Sequence, residues 1–218
     1  MQHMVDLVPI VRDGLTGAWA GLNVSRETAS LIGRYIELLQ VWGKRLNLVS
    51  ARDLAPCICA RHVEDSLGLV RYIPPDTKSI TDMGSGGGFP AIPIAIVTGC
   101  EVNLIESDRR KAAFLQTALA KLELRGRVWP ERLETSKVAP TMCLTARALA
   151  PMSRLLELAF PLLDPGGTAL FLKGPTAASE VEEAALGWNM EWSISAGSLA
   201  TSKIVCVTHL QPRPSIHV

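Results

Sequence analysis

The residues best suited to chemistry lie in a glycine-rich turn and in an acid that follows it. Residues 79–83 are predicted to form a strand that ends in Asp82 and Met83 and runs into Gly84-Ser85-Gly86-Gly87-Gly88. Glycines let the backbone turn sharply and let a ligand approach the main chain, and the next helix offers free N–H groups. Glu106 ends the next predicted strand, where a carboxylate can accept hydrogen bonds from both ribose hydroxyls. The pattern predicts a site for an adenosine-type nucleotide.

The spacing of the glycines restricts the kind of nucleotide. The dinucleotide fingerprint G-x-G-x-x-G requires a third glycine where this chain has Phe89, which argues against a nicotinamide-dependent oxidoreductase. A P-loop is excluded, because no Gly-Lys-Ser or Gly-Lys-Thr follows the glycines. The spacing of Gly84, Gly86 and Gly88 resembles motif I of the class I methyltransferases that use S-adenosylmethionine (SAM). The alternative, a glycine-rich turn that binds no ligand, is less favoured than a nucleotide site.

The elements that must position these residues follow from hydrophobic periodicity. Residues 1–75 are predicted to be a helical extension, with helices over 25–47 and 52–71, and residues 76–218 to be the ligand-binding core, packed as one unit. The core alternates strands and helices, which is typical of an α/β fold. Further strands are predicted at 102–106, 127–130, 142–146, 168–172, 188–195 and 203–210, helices at 109–122 and 151–163, and a turn at Pro165-Gly166-Gly167. The last two strands, with no long helix between them, predict an antiparallel hairpin.

A closer resemblance lies in the glycine turn and its continuation, Phe89-Pro90-Ala91-Ile92-Pro93. The stretch is similar to the signature of the bacterial ribosomal small-subunit methyltransferase G family, formerly called glucose-inhibited division protein B. Four other stretches match that family in order, namely residues 46–50, 61–67, 146–148 and 172–174. The resemblance implies a Rossmann-like fold whose seven-stranded, mostly parallel sheet has one antiparallel strand. It also implies a SAM-dependent enzyme that methylates N7 of one guanine in the decoding-centre loop of 16S ribosomal RNA.

The resemblance also implies roles for individual residues. Gly84 and Phe89 would line the SAM pocket, and Gly86 would allow close approach of its methionine end. Asp82 belongs to the same predicted set, and Glu106 would hold the ribose. Leu133 and Glu134 match a pair that flanks the adenine, and Arg147 matches an arginine beside SAM and the target base. Ala91 stands where the family usually has glycine.

The predicted chemistry is methyl transfer to a nitrogen lone pair. Guanine N7 needs no prior deprotonation, so the enzyme's task is positioning and tolerance of developing charge. We therefore expect no obligatory general base, and Arg147 is the candidate positioning residue, with a plain salt bridge as its alternative. The Asn/Asp-Pro-Pro-aromatic motif of exocyclic-amine methylation has no counterpart here, since Arg147-Ala148-Leu149-Ala150-Pro151 occupies its place.

Charge is informative only locally. The net charge is +1, which excludes a global electrostatic argument for nucleic acid, but basic residues outnumber acids between residues 109 and 132. We expect Arg109, Arg110 and Lys111 to contact RNA phosphates, although a solvated helix face is the alternative. His62 and Lys173 are further candidates for RNA contact, with structural roles as their alternatives.

Partners and location follow from the same features. The expected partner is 16S ribosomal RNA or the small ribosomal subunit, and the protein is expected to be a cytoplasmic monomer without an obligate protein partner. The five cysteines suggest reduced thiols, and neither a metal site, a secretory signal nor a membrane span is predicted. A methyltransferase for small molecules and a non-catalytic SAM-binding or RNA-binding regulator remain as alternatives.

Overall fold

The computed structural model describes residues 24–49, 56–198 and 200–214, with the backbone alone for 56–60, and its strands form one twisted sheet. The strands are β1 (Ser79–Met83), β2 (Glu101–Ile105), β3 (Gly126–Trp129), β4 (Thr141–Arg147), β5 (Leu163–Lys173), β6 (Trp188–Ala196) and β7 (Lys203–Pro212). Their order is β3-β2-β1-β4-β5-β7-β6. Neighbouring strands from β3 to β5 pair in parallel, whereas β7 runs antiparallel to β5 and to β6. The predicted α/β fold with one antiparallel strand is confirmed.

Six α-helices surround this sheet in the part of the chain that the structure describes. They are α1 (Arg26–Gly43), α2 (Pro56–Leu67), α3 (Ala91–Thr98), α4 (Arg109–Lys121), α5 (Met152–Ala159) and α6 (Ala177–Ala184). Ser25 caps α1, because its Oγ accepts a hydrogen bond from the amide of Thr28. None of the described helices is both long enough and apolar enough to cross a bilayer.

Both faces of the sheet are covered. On one face α1, α3 and α4 pack together, with Tyr35, Ile92 and Phe114 in a shared apolar cluster. On the other face α5 and α6 cover the sheet with Leu156 and Val181 among the buried residues. Because α1 shares a core with the sheet, the N-terminal helices lie directly against the glycine turn. The predicted boundary at residue 75 stays a prediction.

The structure differs from the sequence prediction at several local points. Pro165-Gly166-Gly167 was expected to be a turn before a strand, but β5 runs through it. The register moves from Thr141 opposite Leu163 to Cys143 opposite Thr168, so the additional residues bulge out of the strand at this point. Helix α6 was not predicted at all. The first two helices are also shorter than expected, since α1 ends at Gly43 and α2 ends before Gly68, and the predicted start at residue 52 lies outside the described residues.

The carboxyl ends of the parallel strands meet along one edge of the sheet. β1 ends at Met83, β2 at Ile105, β4 at Arg147 and β5 at Lys173. In open α/β sheets, ligands bind in the crevice beyond these ends. The residues singled out from the sequence are therefore brought toward one edge.

Candidate active site

The glycine turn between β1 and α3 needs both positive φ angles and space. Gly84, Gly86 and Gly88 have φ values of 65°, 53° and 91°. At Gly87 space is the constraint, since an added Cβ would lie 2.9 Å from the carbonyl oxygen of Leu48. The buried Tyr35 hydroxyl donates a hydrogen bond of 2.5 Å to the Gly87 carbonyl, so α1 holds the turn from behind. The turn therefore depends on the N-terminal part of the chain.

Glu106 follows β2 and holds the front of the turn. Its Oε2 accepts a 2.8 Å hydrogen bond from the Gly86 amide, and its Oε1 accepts one of the same length from the Asp108 amide. The residue is only 8% exposed. An ionised carboxylate offers about four lone-pair sites, so roughly two remain for other donors. Glu106 can thus support the turn and bind two ligand hydroxyls together.

A cavity of about 330 Å³ lies beside this carboxylate, and we call it the Glu106 cavity. Leu133 and Glu134, in the short turn after β3, line its far side, and Gly84 lines its inner end. Arg154 forms an ion pair of 2.7 Å with Glu134. A backbone amide and Arg154 hold the pKa of Glu134 below its usual range, so Glu134 stays ionised at neutral pH. The predicted adenine-flanking pair therefore lines the same cavity as Glu106, and its role toward adenine stays a prediction.

A second cavity of about 240 Å³ lies on the other side of Gly84, and we call it the His62 cavity. Phe89, His62 and Arg147 line one wall, and Leu48 and Val49 contribute another. Nη2 of Arg147 lies 2.6 Å from Nδ1 of His62, and the guanidinium lies 5.5 Å from the Phe89 ring centroid. Because a guanidinium only donates, Nδ1 must accept, and the remaining proton of a neutral His62 lies on Nε2. His62 and Arg147 therefore form one polar unit.

Asp82 lies under the turn and lines neither of these two cavities. It is fully buried, and the Thr145 hydroxyl donates a 2.6 Å hydrogen bond to its Oδ1. Burial raises the pKa of Asp82 to about 7, opposed by the hydrogen bond from Thr145. Its Oδ2 has no hydrogen-bond partner among the residues that the structure describes. The structure thus places Asp82 beneath the turn rather than in the lining of either cavity, and its predicted role in cofactor binding stays a prediction.

The predicted RNA-contacting residues are dispersed. Arg109, Arg110 and Lys111 begin α4, capped by Asp108, and lie outside the linings of both cavities. Lys173 is mostly buried and already occupied, since its ammonium pairs with Glu180 at 2.6 Å and donates to the Ala150 carbonyl. His62 is the member of the set that the structure brings to the site. The roles of all five residues stay predictions.

Some residues that line the site or support it were missed by the reasoning from chemistry. Tyr35, which supports the glycine turn from behind, lies in the helix predicted over 25–47 and was given no further role there. Leu48 and Val49, which line the His62 cavity, were noted only as part of a short family stretch. Leu48 meets the glycine turn through its backbone carbonyl, which no side-chain pattern reports. The position of the short stretch in the family pattern was the available signal.

The fold and the two cavities together define a class I SAM-dependent methyltransferase. The residues fit SAM, because the carboxylate of Glu106, the apolar side chain of Leu133 and the glycine turn line two cavities that share Gly84. The chain belongs to the GidB family, rRNA small subunit methyltransferase G, whose family model matches residues 28–202.

Individual relatives agree with this assignment. The chain is 52% identical over 172 residues to a ribosomal RNA small subunit methyltransferase G of Gluconobacter oxydans, covering 79% of this chain and 88% of the relative. It is 46% identical over 176 residues to the protein of that name from Granulibacter bethesdensis, covering 81% and 82%.

Solved structures support the fold alone. The ribosomal protein L11 methylase from Lactobacillus delbrueckii subsp. bulgaricus has a TM-score of 0.58 at 12% identity, covering 69% of this chain and 79% of that one. The mitomycin 7-O-methyltransferase MmcR has a TM-score of 0.59 at 16% identity, covering 91% and 67%.

Proposed function

We propose that this protein transfers the methyl group of SAM to N7 of one guanine in the decoding-centre loop of small-subunit ribosomal RNA. Family membership supports the reaction and the RNA, and one structural observation supports the site. Gly84 lines both the Glu106 cavity and the His62 cavity, so a bound molecule can extend from one to the other past the glycine turn.

Each end of this crevice suits a different part of SAM. Glu106 would accept hydrogen bonds from the ribose hydroxyls, and Leu133 would contact the adenine. The glycine turn would border the methionine part, close to Arg147, whose guanidinium suits a carboxylate. When bound, SAM supplies an electrophilic methyl group on a positively charged sulfur.

The methyl acceptor needs little chemical assistance. The N7 lone pair of guanine forms a bond to the methyl carbon while the carbon–sulfur bond breaks, and that electron pair stays on sulfur. No proton leaves N7, so the protein needs no general base and must instead align the two reactants. Arg147, fixed by His62 and by the face of Phe89, is the proposed positioning residue at this junction.

RNA contacts outside the crevice are proposed at the start of α4. Arg109 and Arg110 are exposed there, and phosphate contacts release counterions from the RNA. The double charge reversal Arg109→Glu and Arg110→Glu should weaken RNA binding and flatten its dependence on salt. Binding that keeps its wild-type salt slope would remove these two residues from the interface.

We propose that a cytoplasmic monomer carries out the reaction.

The test of the function is methyl transfer from labelled SAM to small ribosomal subunits that lack the modification, followed by mass spectrometry of the nucleosides. The expected product is 7-methylguanosine at one site. Arg147→Lys is the matched variant, because it keeps the charge but loses the planar group that contacts His62 and Phe89. Label in a metabolite panel that is assayed in parallel, with none in RNA, would move the function to a small-molecule methyltransferase. SAM binding without any transfer would indicate a regulator.

A further inference from the structure

A third cavity, of about 240 Å³, opens on the other side of Arg147, and we call it the Asp65 cavity. Arg147 and Ala148 line it and the His62 cavity alike, so the two spaces adjoin at the end of β4. Its remaining polar lining comes from Asp65 on α2, Lys173 at the end of β5, and Thr201 and Ser202 before β7. It therefore borders the place where the methyl group would be transferred.

The carboxylate of Asp65 is an unusual group to find in this position. Asp65 is 2% exposed, and its Oδ1 accepts a hydrogen bond from the hydroxyl of Ser202. Among the described residues it forms no ion pair. Of the two cations that line the cavity, Lys173 is already paired with Glu180, and Arg147 contacts His62. A buried carboxylate without a counter-charge is costly unless donors satisfy it. The Asp65 cavity thus offers a carboxylate that can accept hydrogen bonds from a ligand that brings N–H groups.

The backbone of the β6–β7 turn holds this carboxylate in place. A Cβ at Gly197 would overlap the Ser202 hydroxyl and would lie 2.9 Å from Oδ1 of Asp65. The Ser198 hydroxyl also donates to the carbonyl of Glu64, beside Asp65 on α2. The carboxylate is therefore fixed before any ligand arrives, as a selective binding site requires.

Among the RNA bases, guanine matches a fixed carboxylate best. Its N1–H and N2–H2 groups are adjacent donors, so both carboxylate oxygens can be satisfied. Adenine and cytosine each place an acceptor nitrogen beside their amino group, and uracil places carbonyls on both sides of its single N–H. We propose that the Asp65 cavity is the subsite for the target guanine, with Asp65 reading its N1 and N2 groups. This proposal rests on the function proposed above.

This orientation also suits the chemistry. N7 lies on the five-membered ring, away from N1 and N2, so a guanine bound to Asp65 through N1 and N2 keeps N7 free for the methyl group. The His62 cavity adjoins this one at Arg147 and Ala148. The volume is slightly below the range of drug-sized ligand sites of about 300–1,000 Å³, as expected for a single base. Methylation makes the purine cationic, and a carboxylate facing N1–H interacts more strongly as that charge develops. Asp65 thus both selects guanine and favours the reaction.

The test compares guanosine with inosine at the methylated position in reconstituted small ribosomal subunits. Inosine keeps N7 but lacks the N2 amino group, so the wild-type rate should fall by roughly 10- to 100-fold, the value of one hydrogen bond to a charged group. In Asp65→Asn the rate on guanosine should fall by a similar factor or more, and the guanosine-to-inosine ratio should approach one. Ser202→Ala, which keeps the carboxylate, should retain most of the ratio.

The outcomes separate the two proposals. If the wild type forms 7-methylguanosine but methylates both substrates equally, or if Asp65→Asn keeps the wild-type ratio, the guanine subsite is refuted. If the wild type forms no 7-methylguanosine at all, the proposed function itself fails. SAM affinity by calorimetry and the thermal midpoint show whether Asp65→Asn is folded. Should it not fold, Asp65→Glu takes its place, since a displaced carboxylate must also lower the ratio, and an unchanged ratio refutes the subsite.

Discussion

Replacing Glu106 by glutamine should weaken SAM binding and destabilise the ligand-free protein together. Each carboxylate oxygen now accepts a backbone amide, from Gly86 and from Asp108, at 2.8 Å. Glutamine keeps one acceptor and sets an NH2 group against the other amide, which costs about 1–3 kcal/mol for an unsatisfied donor. For a chain of this size, such a loss lowers the melting temperature by roughly 2–10 °C.

The weaker binding of SAM has the same cause, since Glu106→Gln replaces one carboxylate oxygen by an NH2 group. One hydrogen bond from a ribose hydroxyl to a charged oxygen is lost, worth about 1.5–3 kcal/mol, so the dissociation constant should rise roughly 10- to 150-fold. Isothermal titration calorimetry with SAM measures the change in the dissociation constant. Thermal denaturation without ligand measures the loss of stability.

A matched control comes from the opposite end of the same strand. Glu101 begins β2 and is exposed, so Glu101→Gln should change stability by less than about 0.5 kcal/mol and leave SAM affinity unaltered. A Glu106→Gln protein that binds SAM within threefold of the wild type would refute the ribose assignment. An unchanged melting temperature would refute the argument that this carboxylate supports the turn.

Three further changes probe the surroundings of the turn. Asp82→Asn keeps the acceptor for Thr145 but cannot ionise. The native pKa of Asp82 is raised to about 7 from 3.8. Between about pH 4 and 7 the unfolded chain therefore loses this proton while the native state keeps it, so the wild type becomes progressively less stable. The variant's advantage in urea denaturation should therefore grow across that window toward about 4 kcal/mol and then level off, and a constant difference would contradict the raised pKa. Tyr35→Phe leaves the Gly87 carbonyl without its donor and should cost about 1–2 kcal/mol in the same assay, with weaker SAM binding; wild-type values for both would show that the bond is dispensable. Gly87→Ala forces a Cβ against the Leu48 carbonyl and should lower the melting temperature by several degrees, whereas an unchanged melting temperature would mean that residues 46–49 move aside at little cost.

The strands next to the turn were predictable because local signals agreed. The strand predicted at 79–83 is β1 without any shift, since a buried apolar run meets an obligatory glycine turn. The position of Glu106 beside the turn was predictable because it directly follows the second strand, whereas its hydrogen bonds to the Gly86 and Asp108 amides were not predicted. Here local sequence determines both the backbone path and the available atoms.

Other features depend on partners that are far away in the chain. Pro165-Gly166-Gly167 is typical of a turn. Residues before and after it, Leu163 and Thr168, nevertheless pair with β4, so the motif stays inside β5 as a bulge. The contact of Ser202 with Asp65 joins residues 137 positions apart, and it exists only because β7 inserts between β5 and β6. Composition and periodicity do not carry the order of strands, so the Asp65 cavity was invisible from the sequence.

The hydrogen bond from Tyr35 to the Gly87 carbonyl links the turn to the cooperative unfolding of α1. A loop held only by its own glycines would open on its own, and its amides would exchange with solvent quickly. Here the turn lies between a helix and a sheet, so its amides should exchange only when α1 separates from the sheet. The free energy of that opening then limits how often the two cavities lose their shape. We therefore expect α1, which lines neither the Glu106 cavity nor the His62 cavity, to influence how long SAM stays bound.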